Sequence, residues 1–123
     1  MEKRENVAVL GASSNPERYS NMAVRMLTAH GHRVIPVNPA LKEVEGLPCR
    51  PGLNGVEKRI DTLTVYLKPA LTEPMIDDIV ALRPGRVILN PGSESEPLEA
   101  ALRKEGIAVE RACTLVLLRT GQY

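Results

Sequence analysis

NVAVLGASSNPERYSNMAVRMLTAHG, residues 6–31, changes character twice along its length. Asn6 to Leu10 is β-prone and mostly apolar, as expected of a strand buried on both faces of a parallel sheet. Gly11, Ala12, Ser13, Ser14, Asn15 and Pro16 then carry so little side-chain bulk that a ligand can approach the backbone closely. Beyond them Met22, Ala23, Met26 and Leu27 recur on one face of a helix, with Ser20 expected as its N-cap and Gly31 as its stop. A strand, a small-residue loop and a helix together place unpaired N–H groups and a partial positive charge where a phosphate can sit. Arg18 adds a full charge. One Gly-led loop also serves as an ordinary strand-to-helix turn, so the motif is weak alone and the other loops must decide.

The 123 residues predict a single domain over residues 1–123, enough for one core and not for two. Hydrophobic residues at 43% and charged ones at 25% belong to the ordinary globular range. Phe and Trp are absent, so the core must come from Val, Leu, Ile, Ala and Met, and base-stacking aromatics of the single-strand nucleic-acid type are lacking. Sixteen basic against fifteen acidic residues give a net charge of +1, which offers no field for nucleic acid or membrane. Residues 1–6 are charged and lack the apolar stretch of a signal peptide, and no apolar run reaches the length of a membrane span. A cytoplasmic protein is expected, with Cys49 and Cys113 as free thiols and Cys113 filling core.

Strands and helices alternate along the remainder. The run His32 to Pro39 has an apolar centre that reads as a second strand ending at Asn38, interrupted by Pro36, whose ring is tolerable only where its missing N–H is not needed. Residues 40–55 have no clean period and are expected to form a connector with a helical turn at 41–44. Asp61 to Leu67 is a third strand, and Thr72 to Leu82 a helix capped by Thr72. Arg86 to Asn90 is a fourth strand, followed by a helix over 97–105 ended by Gly106 and a short fifth strand at 107–110. Residues 113–118 fit either a strand or a helical turn. The pattern predicts an α/β fold: a Rossmann-like, doubly wound parallel five-stranded sheet of order 3-2-1-4-5, with helices on both faces. Ligands then bind beyond the carboxyl ends of the strands.

The four carboxyl-end loops share a chemistry. They are Gly11 to Arg18, Asn38-Pro39-Ala40-Leu41-Lys42, Lys68-Pro69, and Asn90-Pro91-Gly92-Ser93, each small, rich in Pro or Gly, and three of them carrying a cation. Neutral donors with separated cations suit an extended ligand bearing several phosphates, although each cation singly is also an ordinary surface charge. The first loop lacks G-x-G-x-x-G, and Asn38 stands where a dinucleotide site places an acid for the ribose hydroxyls. With Lys42 nearby this favours a phosphorylated ribose, as in NADP or coenzyme A. A phosphorylation receiver is excluded by Gly11-Ala12 and Lys68-Pro69, and the scarcity of aromatics disfavours FMN.

The segments GASSNPERYSN, PVNPALKEVEG, VYLKP and ILNPGSES, in this order, resemble the small stand-alone CoA-binding domain proteins of bacteria and archaea, themselves similar to the N-terminal CoA-binding domain of the succinyl-CoA synthetase α subunit. The resemblance covers nearly the whole chain. It implies that the first loop and helix end hold the CoA phosphates at Ser13, Ser14, Asn15 and Arg18, with Gly11 and Ala12 of the same small-residue loop as further binding residues. It further implies that Asn38, Pro39 and Lys42 lie by the phosphorylated ribose and adenine, and that Lys68, Pro69, Asn90, Pro91 and Gly92 line the adenine and pantetheine path. Many relatives begin with a helix that is not found before Asn6, and the LLRTGQY ending differs from their basic tails.

No catalytic constellation stands out. His30 and His32 flank Gly31 and are expected to be surface residues at a helix end. Asp77 and Asp78 are expected to be solvated, and Ser13, Ser14 and Ser93 have no assigned base. No metal site is expected. Non-catalytic binding of coenzyme A or an acyl-CoA is therefore the leading expectation. The alternatives are an NADP- or acyl-CoA-dependent enzyme completed by a homodimer cleft or an enzyme partner, and a ligand-free interaction subunit.

Overall fold

The structure, a computed structural model, describes residues 3–56 and 59–123. In chain order it contains β1 (Asn6–Leu10), α1 (Tyr19–Ala29), β2 (Arg33–Val37), β3 (Glu43–Val44), β4 (Leu47–Pro48) and β5 (Thr62–Val65). These are followed by α2 (Pro69–Thr72), α3 (Ile76–Leu82), β6 (Arg86–Leu89), α4 (Glu96–Lys104), β7 (Ala108–Arg111) and α5 (Thr114–Arg119). Short 3-10 turns occupy Leu53–Gly55 and Glu73–Met75. No helix among the described residues is long and apolar enough to cross a membrane.

The main sheet has five parallel strands in the order β2-β1-β5-β6-β7. On the outer side of β2, Arg50 makes a single parallel bridge to Val37, with Arg50 N–H donating to the Pro36 carbonyl and Asn38 N–H to the Arg50 carbonyl, each at 2.9 Å. Counting that bridge as a rudimentary third strand makes six positions in the order 3-2-1-4-5-6, whose first five follow the Rossmann-like 3-2-1-4-5 winding. The third-strand position thus falls to Arg50, while Thr62–Val65, counted third in the sequence, pairs with the opposite side of β1. All four residues of β5 are buried, which suits an interior strand, whereas the Gly- and Pro-rich connector supplies only a bridge. Pro36 pairs with Val9 in register, and its carbonyl points to Arg50. The missing N–H therefore faces the side where the ladder is nearly empty.

Strand alternation divides the core into two layers. Val7 and Val9 face α1 and α5 with Ala23, Val24, Leu27, Leu115 and Leu118. Ala8 and Leu10 face the other side with Leu63, Val65, Ile79, Leu98 and Leu102, under α3 and α4.

Several local expectations are corrected. Helix α1 starts at Tyr19 with Arg18 at the N-cap and no side-chain cap, while Ser20 is buried inside the first turn. Thr72 ends α2 instead of capping a long helix, because Pro74 has no N–H to continue it, and the chain passes through a 3-10 turn before α3. Residues 41–44 do not form a helical turn. They enter the β3–β4 hairpin, whose turn residues Glu45 and Gly46 have φ of +50° and +77°, as tight hairpins require. His32 is buried, its Nδ1 accepting the Glu5 N–H at 3.0 Å and its ring lying 5.2 Å from that of Tyr123. Residues 114–119 settle as helix.

Candidate functional site

Two adjoining hollows open beyond the carboxyl ends of β1, β2 and β5. The larger, about 590 Å³, is lined by residues of the first loop and the start of α1, from Gly11 to Ser13 and Glu17 to Ser20, together with Asn38, Tyr66, Leu67 and Pro91. The smaller, about 270 Å³, is walled by Leu10, Val37, Pro39, Pro51, Leu53, Leu67 and Met75, with Asn38, Asn54 and Asp78 among its polar residues. Gly11, Asn38 and Leu67 belong to both linings, so the two hollows read as one bent cleft.

The bend is set at Gly11. Its φ is +87°, and a Cβ there would lie 2.8 Å from Leu67 Cδ2 and 3.2 Å from the Tyr66 carbonyl carbon. The loop after β1 thus rests directly on the loop after β5. Gly11 and Ala12 N–H groups both donate to the Val37 carbonyl, at 3.1 and 3.2 Å. Asn38 completes the tie between the first two loops: its Nδ2 donates to the Ala12 carbonyl at 2.8 Å, and its Oδ1 accepts from Ala40 N–H at 2.7 Å.

The first loop also satisfies itself. Asn15 N–H donates to Ser13 Oγ at 3.1 Å, Glu17 N–H to Asn15 Oδ1 at 3.0 Å, and Arg18 N–H to the Asn15 carbonyl at 3.0 Å. Buried Asn21 secures it from behind, donating from Nδ2 to the Ser13 carbonyl at 2.9 Å and to the Glu45 carboxylate of the hairpin at 3.1 Å. What stays open is the helix end. Met22 N–H makes the bond to the Arg18 carbonyl at 3.0 Å, so the preceding N–H groups of Tyr19, Ser20 and Asn21 have no acceptor within the helix. Tyr19 and Ser20 line the larger hollow, where Arg18 supplies a cation and Glu17 a carboxylate.

The residues expected at the site divide accordingly. Gly11, Ala12, Ser13, Arg18, Asn38, Pro39 and Pro91 line the cleft. Ser14, Asn15, Lys42, Lys68, Pro69, Asn90 and Gly92 are not in either lining. Asn90 is turned inward and only 2% exposed. Its Nδ2 donates to Thr64 Oγ1 at 2.7 Å and the Val65 carbonyl at 2.9 Å, and its Oδ1 accepts Thr114 N–H at 2.9 Å. Gly92 N–H is occupied by the Glu94 carboxylate at 2.8 Å. Lys42 and Lys68 are exposed, Lys68 standing at the N-cap of α2.

Other lining residues carried little sequence signal. Tyr66 and Leu67 directly follow β5 and obey the same carboxyl-end rule as Lys68, which would have found them. Residues 51–54 lie in the aperiodic connector, and Met75 and Asp78 sit on a helix that reads as core and solvent. Burial pushes the Tyr66 phenol up to about 12, so it is neutral at physiological pH. The hydroxyls of Thr64 and Thr114 pair with each other at 2.8 Å, and the buried Tyr66 hydroxyl has no partner at hydrogen-bond geometry among the described residues. Burial also raises the Cys49 thiol above its usual value, the opposite of an activated nucleophile. Among the described residues no group of His, Cys, Asp and Glu is arranged to hold a metal ion. The cleft is suited to a long ligand with an anionic stretch at one end and an apolar ring at the other.

Comparison with known proteins points the same way. The profile of a family described as CoA binding domain matches residues 5–119. The chain is 27% identical over 81 residues to the uncharacterized protein YneT of Bacillus subtilis, covering 63% of this chain and 60% of that one. It is 28% identical over 106 residues to the ADP-forming acetate–CoA ligase I of Archaeoglobus fulgidus, covering 84% of this chain and 15% of the ligase. It thus spans less than two thirds of the length of either relative. A crystal structure of an uncharacterized protein superposes with a TM-score of 0.94 at 36% identity, covering 99% of this chain and 100% of that one.

Proposed function

The chain belongs to the CoA binding domain family, which ties it to CoA binding in general, and from that premise we propose that it holds coenzyme A or an acyl-CoA without transforming it. In this reading residues 1–123 work as one binding unit. The diphosphate rests on the open N–H groups of α1 beside Arg18, and the adenine enters the apolar hollow past Gly11. The Asn38–Lys42 loop lies by the ribose 3′-phosphate, with Lys42 reaching it from the rim. Pro91 borders the route taken by the pantetheine arm, and Lys68 stands near it as a further cation.

The observation that supports this most is the continuity of the cleft. A helix end without a side-chain cap opens into the same space as an apolar slot, and Gly11, Asn38 and Leu67 are common to both. A helix end alone recommends any anion; the adjoining slot asks for a ring attached to that anion. A second reading is an enzyme subunit completed by a partner. It is favoured by the match to 15% of the A. fulgidus ligase, where a region like this one is part of a larger chain.

Calorimetric titration against CoA, dephospho-CoA, NADH and NADPH tests the proposal. Saturable binding of CoA, tighter than dephospho-CoA, is expected. NADPH binding without CoA binding defeats it. Incubation of the protein with acetyl-CoA, followed by a free-thiol assay, should release no thiol above the protein-free rate, and steady release would move the chain to the enzyme reading.

A further inference from the structure

Resting on the reading that the apolar hollow receives the purine of CoA, we propose that Asp78 is a specificity-determining residue that selects an amino-bearing base by accepting a hydrogen bond from it. The hollow offers few polar groups to a ring placed between Leu53, Leu67 and Met75. Asn38 is fixed in orientation, since both ends of its amide already bond to the backbone of Ala12 and Ala40. Asn54 and Asp78 remain, and neither has a hydrogen-bond or ion-pair partner among the described residues.

Asp78 lies in the first turn of α3, and its exposed carboxylate borders the apolar hollow. An ionised carboxylate accepts hydrogen bonds and donates none. Against the 6-amino group of adenine it finds a donor; against the 6-oxo group of hypoxanthine it meets another acceptor. The same charge repels phosphate. In the other hollow Arg18 offsets the Glu17 carboxylate and the open N–H groups at the start of α1 add a partial positive charge, which orients the base toward α3 and the phosphates toward α1. Asp77, its neighbour on the same turn, is absent from the lining.

The test uses 3′-phosphoadenosine 5′-diphosphate, the nucleotide half of CoA, and its 6-oxo counterpart, titrated against the wild type, Asp78→Asn and Asp77→Asn. Both side chains are exposed, so the variants are expected to fold, and thermal melts verify this. The wild type should prefer the amino nucleotide by about fivefold, a preference that Asp78→Asn brings close to one, since an amide presents either a donor or an acceptor. Asp77→Asn, which removes the same charge one residue away, should keep the preference. An unchanged ratio in Asp78→Asn, or an equal loss in Asp77→Asn, overturns the assignment while leaving CoA binding in place. Failure of both nucleotides and of CoA itself to bind the wild type overturns the functional reading, and this inference with it.

Discussion

Gly11→Ala tests the junction on which the cleft depends. Gly11 has φ of +87°, and holding an L-residue in the left-handed region costs about 1–2 kcal/mol. The new methyl would also stand 2.8 Å from Leu67 Cδ2, 3.0 Å from Leu67 Cγ and 3.2 Å from the Tyr66 carbonyl carbon. Leu67 can swing away in part, but the Tyr66 backbone is fixed by its N–H bond to the Leu10 carbonyl at 2.9 Å, so overpacking adds about 1–2 kcal/mol. The expected loss is about 3 kcal/mol in urea unfolding followed by far-ultraviolet circular dichroism. A double-mutant cycle separates the two contributions. Leu67→Ala removes the nearest atoms, so it should recover about 1 kcal/mol in the double variant relative to additivity, while the backbone cost persists. A loss below about 0.5 kcal/mol for Gly11→Ala, or strict additivity with Leu67→Ala, refutes the argument that the two loops meet at this atom.

Arg18→Ala should leave the melting temperature unchanged and weaken CoA by about tenfold, with a shallower dependence on salt, as titration at two ionic strengths would show. Asn90→Ala deletes a buried amide with three partners and should destabilise the protein by about 3 kcal/mol in urea; a change below about 1 kcal/mol would deny it the structural role given above. Glu99 is 5% exposed and held by Arg111 at 2.7 Å and Arg103 at 3.4 Å, and the hydrogen bond from Arg111, against the opposing effect of burial, keeps its carboxyl below the usual value of 4.5. A depressed carboxylate adds stability above its unfolded pKa and loses it as pH falls through the folded one. Melting temperatures should therefore drop on acidification below about pH 4.5, and the drop should be shallower in Glu99→Gln.

The legibility of the fold followed from how its information is stored. Strand and helix periods are local, so Asn6–Leu10, the strand that ends at Val37, one residue short of the expected Asn38, and the Ile76–Leu82 part of the helix expected from Thr72 could be read from side chains within each segment. The exceptions arise where a distant group decides. Ser20 has the chemistry of a cap, yet Ala23, Val24 and Leu27 rotate α1 so that this serine is buried, and Arg18 becomes the boundary. Residues 41–48 have no period that marks a hairpin, which is held by Val44 in the core and Glu45 on Asn21.

The site divides along the same line. Local sequence determined that the loop after β1 is small, that a helix follows it, and that the loops after the parallel strands carry Pro, Gly and scattered cations. Backbone chemistry within a few residues suffices for that. Tertiary structure decided which of those groups face one space: Arg18 does, Asn90 turns inward to hold α5, and Gly92 is already occupied by Glu94. It also brought residues 51–54, Met75 and Asp78 across from Gly11, a meeting of segments 40 or more residues apart that no local pattern encodes. Side-chain type can be read along a chain, but the direction in which a side chain points is set by what packs behind it.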